Sequence, residues 1–306
     1  QELEAPDTAI TAYLKALKVG VSTEISWSDG ANMEEHIHHG LGSLYLEEDD
    51  LNNASKHFKK LILLQKARRG NKGIHSGWDA DPYEHLAEIA EKQKKWRLAI
   101  KYLQNAHKVD PQTPETLQRI GSNYGELGEY KKSIEYYDLS LDSSSEAAAY
   151  GNDMTKLKTR IYFNKHVSLI KLNRLEDALE CLNLVLLDNP KDLKSLEGKA
   201  KLEFAVEYYE CSLATTNLII AIAGKSSRLL TNKAISLLAL HRPKEALELC
   251  EESLTIDPNN LKTLHLKRDI LESSDKFDDA EKIVEKIIKL QDSKHQNYHK
   301  TKLLFL

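Results

Sequence analysis

Three segments of this chain end in proline at a matched phase: AIKYLQNAHKVDP at Pro111, ALECLNLVLLDNP at Pro190 and ALELCEESLTIDP at Pro258. In each, an alanine is followed by an apolar residue four positions on, a small or apolar one three further, and proline five later. Pro190 and Pro258 are 68 residues apart, two periods of 34. With proline at position 32, units fall at 35–68, 80–113, 114–147, 159–192, 193–226, 227–260 and 261–294. A fixed period of this length marks stacked supersecondary units, each burying its apolar face against the next. Composition agrees. The 13 glycines and 7 prolines are about half the share of average usage. Turns are therefore few and elements long, which favours helices over a β-sandwich or a loop-rich secreted domain. An apolar content of 41% is enough for a large core and excludes global disorder.

Residue size follows the same phase. Position 8 carries Gly42, Ala87, Gly121, Ala200 and Ala234, and position 20 carries Ala54, Ala99, Ser133, Ala178, Ser212, Ala246 and Ala280. Bulk such as Tyr83, Leu86, Tyr124, Tyr137 and Leu182 falls at positions 4, 7, 11 and 24. Small residues at fixed points with large ones between them specify two antiparallel helices that approach closely and stack on copies of themselves. This 34-residue pattern resembles the tetratricopeptide-repeat (TPR) superfamily over roughly four-fifths of the chain. The resemblance implies an all-α, right-handed superhelical solenoid of about seven helix–turn–helix repeats. Three residues depart from the pattern. His166 and Arg268 occupy the small position 8, predicting looser contacts or side chains that snorkel outward. Thr216 stands at the bulky position 24 of unit 193–226, the weakest match.

The edges read differently. DTAITAYLKALKVG places Ala9, Tyr13 and Ala16 at positions 20, 24 and 27, a second helix without its first. Residues 1–34 are thus expected to be a partial repeat and linker, and a chain starting at Gln1 is expected to be processed or a piece of a longer one. Eleven-residue insertions at 24–34, 69–79 and 148–158 equal about three helical turns, so an extended helix absorbs one without rotating its face. RGNKGIHSGWD, with three glycines, instead reads as a mobile loop, whereas Asn152 or Asp153 is suited to N-cap a lengthened helix. Residues 295–306, ending in the apolar TKLLFL, are expected to form a tail or cap, or to fold back onto the array.

Net charge is −4, which gives no general nucleic-acid footprint. No run of eighteen apolar residues and no signal-peptide pattern argue against membrane insertion. Cys181, Cys211 and Cys250 lack C-x-x-C spacing, so neither a disulfide framework nor a thiolate zinc site is expected, and a reducing compartment, cytoplasmic or nuclear, is. LIIAIAGKSS at 218–227 imitates a phosphate loop, but Ile219 stands where its first glycine belongs. In frame it is a helix end, with Gly224 as C-cap and Ser226 as the next N-cap. His36 and His39 share a helical face, a spacing that can chelate metal. Polar titrating histidines near Asp81, Glu84 and Glu88 are the simpler reading, and no metal or cofactor is assigned. A metal-dependent enzyme built on these two histidines is a third reading that stoichiometric zinc would reveal. No nucleophile–base signature occurs and no catalytic residue is assigned. The Asn53-Ala54-Ser55 sequon opens a helix and is expected to be unused.

The resemblance also implies that positions 2, 5, 9, 12 and 13 of each first helix line an inner groove. The first half of that groove is acidic: Asp81, Glu84, Glu88 and Glu91, then Glu115. The second half is apolar with a basic margin: Arg160, Phe163, Val167, Ile170 and Lys171, then Lys194, Lys201 and Phe204, then Arg228, Ile235 and Leu238. Such a surface suits an amphipathic helix or an extended acidic–apolar peptide of a partner protein. Chaperone-tail members of the superfamily carry a clamp of Lys and Asn at positions 5 and 9, and here His39 and Ser43, Glu84 and Glu88, or Phe163 and Val167 stand there. The expected function is a non-catalytic interaction scaffold or adaptor. The alternative is a helical-repeat RNA-binding protein, which the acidic and apolar halves disfavour.

Overall fold

A computed structural model of the chain describes residues 5–19, 33–72, 79–111, 113–149 and 153–303. These form fifteen α-helices and, among the described residues, no strand. They fall into two compact units, residues 1–172 and 173–306.

The first unit holds α1 (Ala5–Val19), α2 (Met33–Glu47), α3 (Leu51–Lys72), α4 (Asp81–Lys92), α5 (Trp96–Val109), α6 (Pro114–Glu126), α7 (Tyr130–Ala149) and α8 (Thr155–Lys171). The pairs α2/α3, α4/α5 and α6/α7 are hairpins, joined to their neighbours through α3/α4, α5/α6 and α7/α8. The second unit holds α9 (Leu175–Asp188), α10 (Leu193–Ala205), α11 (Tyr209–Ala223), α12 (Ser227–Ala239), α13 (Pro243–Ile256), α14 (Leu261–Glu272) and α15 (Phe277–Leu303). Its hairpins are α10/α11, α12/α13 and α14/α15.

The periodic small residues are where helices touch. Ala54, Ala99, Ser133, Ala178, Ser212, Ala246 and Ala280 are all buried. A Cβ on Gly42 would lie 2.6 Å from the Phe58 ring, and one on Gly121 would lie 2.9 Å from Tyr137, so both positions exclude even alanine without a shift of the aromatic ring. The bulky position 24 fills the space between, with Phe58, Leu103, Tyr137, Leu182 and Cys250 buried.

Helix ends follow from local chemistry. The residue before each phased proline, Asp110, Asn189 or Asp257, has φ near −130° and ψ near 90° at the helix C-cap. That conformation avoids the clash with the proline ring. Asp192, Ser226 and Asn260 cap the next helices, their side chains accepting from the amides of Ser195, Leu229 and Thr263. Gly224 ends α11 with φ 84°, so 218–227 is a helix end followed by a cap, as its phase predicts.

In each of the six hairpins the turn holds one residue in the left-handed region, Asp49, Lys94, Gly128, Glu207, His241 or Asp275, and Asn173 after α8 is left-handed too; all seven stand at position 15. In six of the seven turns the following amide reaches back to close the helix end. Asp50 donates to the Tyr45 carbonyl, Lys95 to Ala90, Glu129 to Tyr124, Tyr208 to Glu203, Arg242 to Leu237 and Lys276 to Leu271. This is the Schellman termination.

The departures resolve as follows. His166 does not snorkel outward; it is buried, edge-on to Phe163 with centroids 4.8 Å apart. Asp153 accepts from the Thr155 amide at 3.0 Å beside the start of α8, while Asn152 lies outside the described residues. Helix α3 absorbs the opening of the glycine-rich insertion, whose residues 73–78 lie outside the described residues. The insertion ends at buried Asp79, which with Glu35 brackets the Arg68 guanidinium; Arg68 Nε lies 3.0 Å from Glu35 and its Nη2 bonds Asp79. Asn53, of the sequon, sits in the first turn of α3, bonded to the Asp50 carboxylate. Residues 304–306 of the TKLLFL tail lie outside the described residues.

Candidate functional site

In the second unit the predicted groove residues converge on a cavity of about 230 Å³ among α10, α11 and α12, with Lys262 of α14 at its edge. Glu197, Lys201 and Phe204 come from α10, and Arg228 and Ile235 from α12. The wall from α11 is Ser212, Thr216 and Ile219. Thr216 stands in its wall as the buried position-24 residue, where other repeats carry Phe58, Leu103, Tyr137 and Leu182 but one carries the similarly small Cys250.

The lining is less polar than its composition. Ser212 Oγ donates to the Ala200 carbonyl at 2.9 Å, and Ser236 Oγ lies 3.3 Å from Ser212 Oγ and 3.4 Å from the Asn232 carbonyl. With the Ser212 and Ser236 hydroxyls engaged inside the protein, the apolar part of the lining is the Phe204 ring with Ala200, Ile219, Leu229 and Ile235, beside Thr216. Tyr209 packs on Phe204 with centroids 5.2 Å apart and fixes that ring.

Charge gathers at the mouth. Arg228 donates to Glu197 at 2.6 Å, and this hydrogen bond, partly opposed by desolvation, holds the Glu197 carboxyl below its usual pKa. Lys262 donates to Asn232 at 3.1 Å, and Lys201 is exposed. Three cations stand here against one carboxylate.

Not every predicted residue joins this constellation. Lys194 is exposed on α10 and Leu238 packs against the Ala234–Leu237–Ala246 core. Arg160, Phe163, Val167, Ile170 and Lys171 lie on α8 of the first unit, where Val167 is 44% and Ile170 38% exposed. Sequence phase missed Ser212, Thr216 and Ile219, because they lie on the second helix α11, and Ser236, which stands on the first helix α12 outside the five groove positions. The signal that could have found them is threonine at a bulky position.

The acidic residues of α4 are partly engaged within the first unit. Glu84 accepts from Thr116 at 2.6 Å, and Glu91 accepts from Asn123 at 2.6 Å and Arg119 at 2.9 Å. These bonds join α4 to α6. Glu115 is exposed, and Glu88 lies 3.9 Å from His85. Asp81 Oδ2 lies 3.9 Å from His39 Nε2. Burial, with Glu84, Asp110 and Asp79 nearby, raises Asp81 to about 6, while burial, with His85 and His36 nearby, lowers His39 to about 4. Both shifts favour a neutral pair.

Nearby, His38 and His57 meet through their Nδ1 atoms at 2.8 Å, and burial lowers His38 to about 4. Among the described residues no three His, Cys, Asp or Glu side chains are placed to share a metal ion. Nor is any helix there long and apolar enough to cross a membrane.

Comparison with known proteins follows the geometry. The sequence matches the tetratricopeptide-repeat family at 35–68, 114–146 and 237–303. It is 29% identical over 125 residues to the DnaJ homolog subfamily C member 7 homolog of Dictyostelium discoideum, covering 39% of this chain and 23% of that protein. It is 24% identical over 258 residues to the TPR repeat-containing protein MJ1428 of Methanocaldococcus jannaschii, covering 80% and 43%. The chain thus spans less than half the length of either relative.

Among solved structures, the C-terminal part of a TPR repeat-containing protein from Cytophaga hutchinsonii superposes with a TM-score of 0.64 at 14% identity, covering 87% of this chain and 95% of that one. YrrB, a TPR protein with an unusual peptide-binding site, gives 0.53 at 18% identity, covering 66% and 96%. These are likenesses of fold, to a family that is generally non-catalytic. Repeat phase, helix-hairpin architecture, family matches and structural neighbours agree: the chain belongs to the tetratricopeptide-repeat superfamily.

Proposed function

We propose that the chain is a non-catalytic protein–protein interaction scaffold, an adaptor within a larger assembly, that holds a peptide or amphipathic helix of a partner along the first helices of its repeats. The observation that carries this is the cation-rimmed apolar cavity of the second unit, with Phe204 and Ile235 in its wall and Lys201, Arg228 and Lys262 at its mouth. Apolar burial supplies affinity there, and exposed cations supply steering and register. On α8 of the first unit, Arg160 and Lys171 flank Val167 and Ile170 in the same chemistry. YrrB supports the reading as a protein of this fold with a peptide-binding site.

The acidic residues Asp81, Glu88 and Glu115 suit a basic segment of the same or another partner, with Glu84 and Glu91 also joining repeats. The repeat borders at 35–68, 80–113, 114–147, 159–192, 193–226, 227–260 and 261–294 belong to this proposal, as does a reducing intracellular location for a chain whose three cysteines lack C-x-x-C spacing.

Charge reversal tests it. Partners captured on the immobilised chain are measured against Lys194→Glu with Lys201→Glu, and separately against Arg160→Glu. Weaker binding with a shallower salt dependence is expected; unchanged affinity and salt slope would overturn the reading. Salt-dependent binding of single-stranded RNA in place of protein would favour the RNA-binding alternative.

A further inference from the structure

We propose that the cavity walled by Thr216 is an anchor pocket for one large apolar side chain, Phe, Trp or Leu, of a peptide whose neighbouring residues are Asp or Glu. This rests on the scaffold reading and specifies the partner chemistry at one of its sites.

Size comes first. A dry cavity of about 150 Å³ holds benzene, so about 230 Å³ accommodates a single large side chain. Drug-sized ligand pockets begin at about 300 Å³, so the space suits one residue of a longer ligand. Wall chemistry selects the kind of side chain. Ser212 already donates to the Ala200 carbonyl, and Ser236 lies within hydrogen-bonding distance of Ser212 and the Asn232 carbonyl. A polar intruder would lose water without gaining equivalent partners, whereas an aromatic or aliphatic group gains contact with Phe204, Ile219, Leu229 and Ile235.

Charge then selects the flanks. Glu197 neutralises one cation through Arg228, and Lys201 and Lys262 leave the mouth net positive. Carboxylates on either side of the anchor complement that excess, and like charges would be repelled. The chain's own TKLLFL segment carries a lysine and no acidic side chain, so it matches the pocket floor without matching its rim.

The full-length chain is panned against a randomised dodecapeptide library, and the best peptide is resynthesised with its apolar anchor changed to alanine. Affinities are measured for the wild type, for Thr216→Leu, which supplies the bulk that Leu103 and Leu182 carry at this position, and for the exposed-site variant Lys201→Glu. The expected result is an enriched large apolar residue between acidic ones. Thr216→Leu and the alanine peptide should each weaken binding about tenfold or more, and together no further, because both remove one interaction. Lys201→Glu should weaken binding of the acidic peptide with the fold unchanged by circular dichroism.

Peptides that bind equally well to Thr216→Leu would overturn the anchor pocket and leave the scaffold reading standing. No enriched peptide would overturn both. Two further results would reassign the pocket and overturn the proposal: a concentration-dependent dimer that Thr216→Leu makes monomeric, or tighter peptide binding after deletion of residues 301–306.

Discussion

At the scale of single residues, the first repeat of the folded chain is built around side chains whose charge burial opposes. His38 and His39 both fall to about 4 from the ordinary 6.5, chiefly through desolvation, and His57 and His85 move the same way. The neutral form is favoured in the fold, so between pH 6.5 and 4 the unfolded chain binds more protons at these groups. Their contribution is complete above about pH 7 and is lost as pH falls through that window. Asp81, raised to about 6, has the opposite sign and offsets part of the loss. Denaturant midpoints at pH 7.5 and 5 should differ by roughly 1–2 kcal/mol for each of the two most shifted histidines, with accelerated hydrogen exchange in α2–α4. A flat profile would show that these rings protonate without loss of the fold. Arg68 is a further buried charge, held between Glu35 and Asp79. Replacing it with alanine leaves Glu35 and Asp79 buried without their shared cation, and should lower stability by about 3–5 kcal/mol in urea titration. No pattern in the sequence announced this triad, because its members lie 33 and 11 residues apart and one belongs to an insertion outside the repeat.

At the scale of elements, what the sequence made legible was phase. Alanine, glycine and proline at fixed positions located both helices of each hairpin, because close approach and helix termination each tolerate few residue types. The turn between them was not legible. Position 15 is left-handed at all seven places, yet only Gly128 and Asn173 are residues that commonly signal this; Asp49, Lys94, Glu207, His241 and Asp275 adopt positive φ in turns closed by Schellman bonds. These five carry side-chain strain that glycine avoids. Lys94→Gly and His241→Gly should therefore each raise stability by about 0.5–1 kcal/mol, glycine's greater freedom in the unfolded chain limiting the gain. Gly128→Ala should lower it by about 1 kcal/mol. Thermal midpoints of the three variants provide the check; destabilised glycine variants would mean that the native side chains make compensating contacts.

At the scale of the molecule, two compact units use the same repeat in different ways. In the first, the α4 carboxylates Glu84 and Glu91 accept hydrogen bonds from α6 and so join the two helices. In the second, Thr216 at position 24 borders a cavity with a charged mouth. Half of this site was readable, since Lys201, Phe204, Arg228 and Ile235 follow from first-helix phase. The other half was hidden because a cavity is a property of facing surfaces and depends on what neighbouring helices fail to fill. Thr216→Leu should raise the denaturation midpoint of the unliganded chain by about 1 kcal/mol as it fills part of that space. A lowered midpoint would show that the walls do not accommodate the added bulk.

The unfilled space has a bearing on the lifetime of the protein. A partner residue seated beside Thr216 fills that space, and any ligand that binds the folded form alone holds that form by mass action. At one hundred times its dissociation constant such a partner adds about 2.7 kcal/mol. Proteolysis samples the opened state in proportion to its population, so the unaccompanied chain is degraded first. On the anchor pocket proposed above, the abundance of this protein in a cell would follow the abundance of its partner, and orphaned copies would be cleared without a dedicated signal.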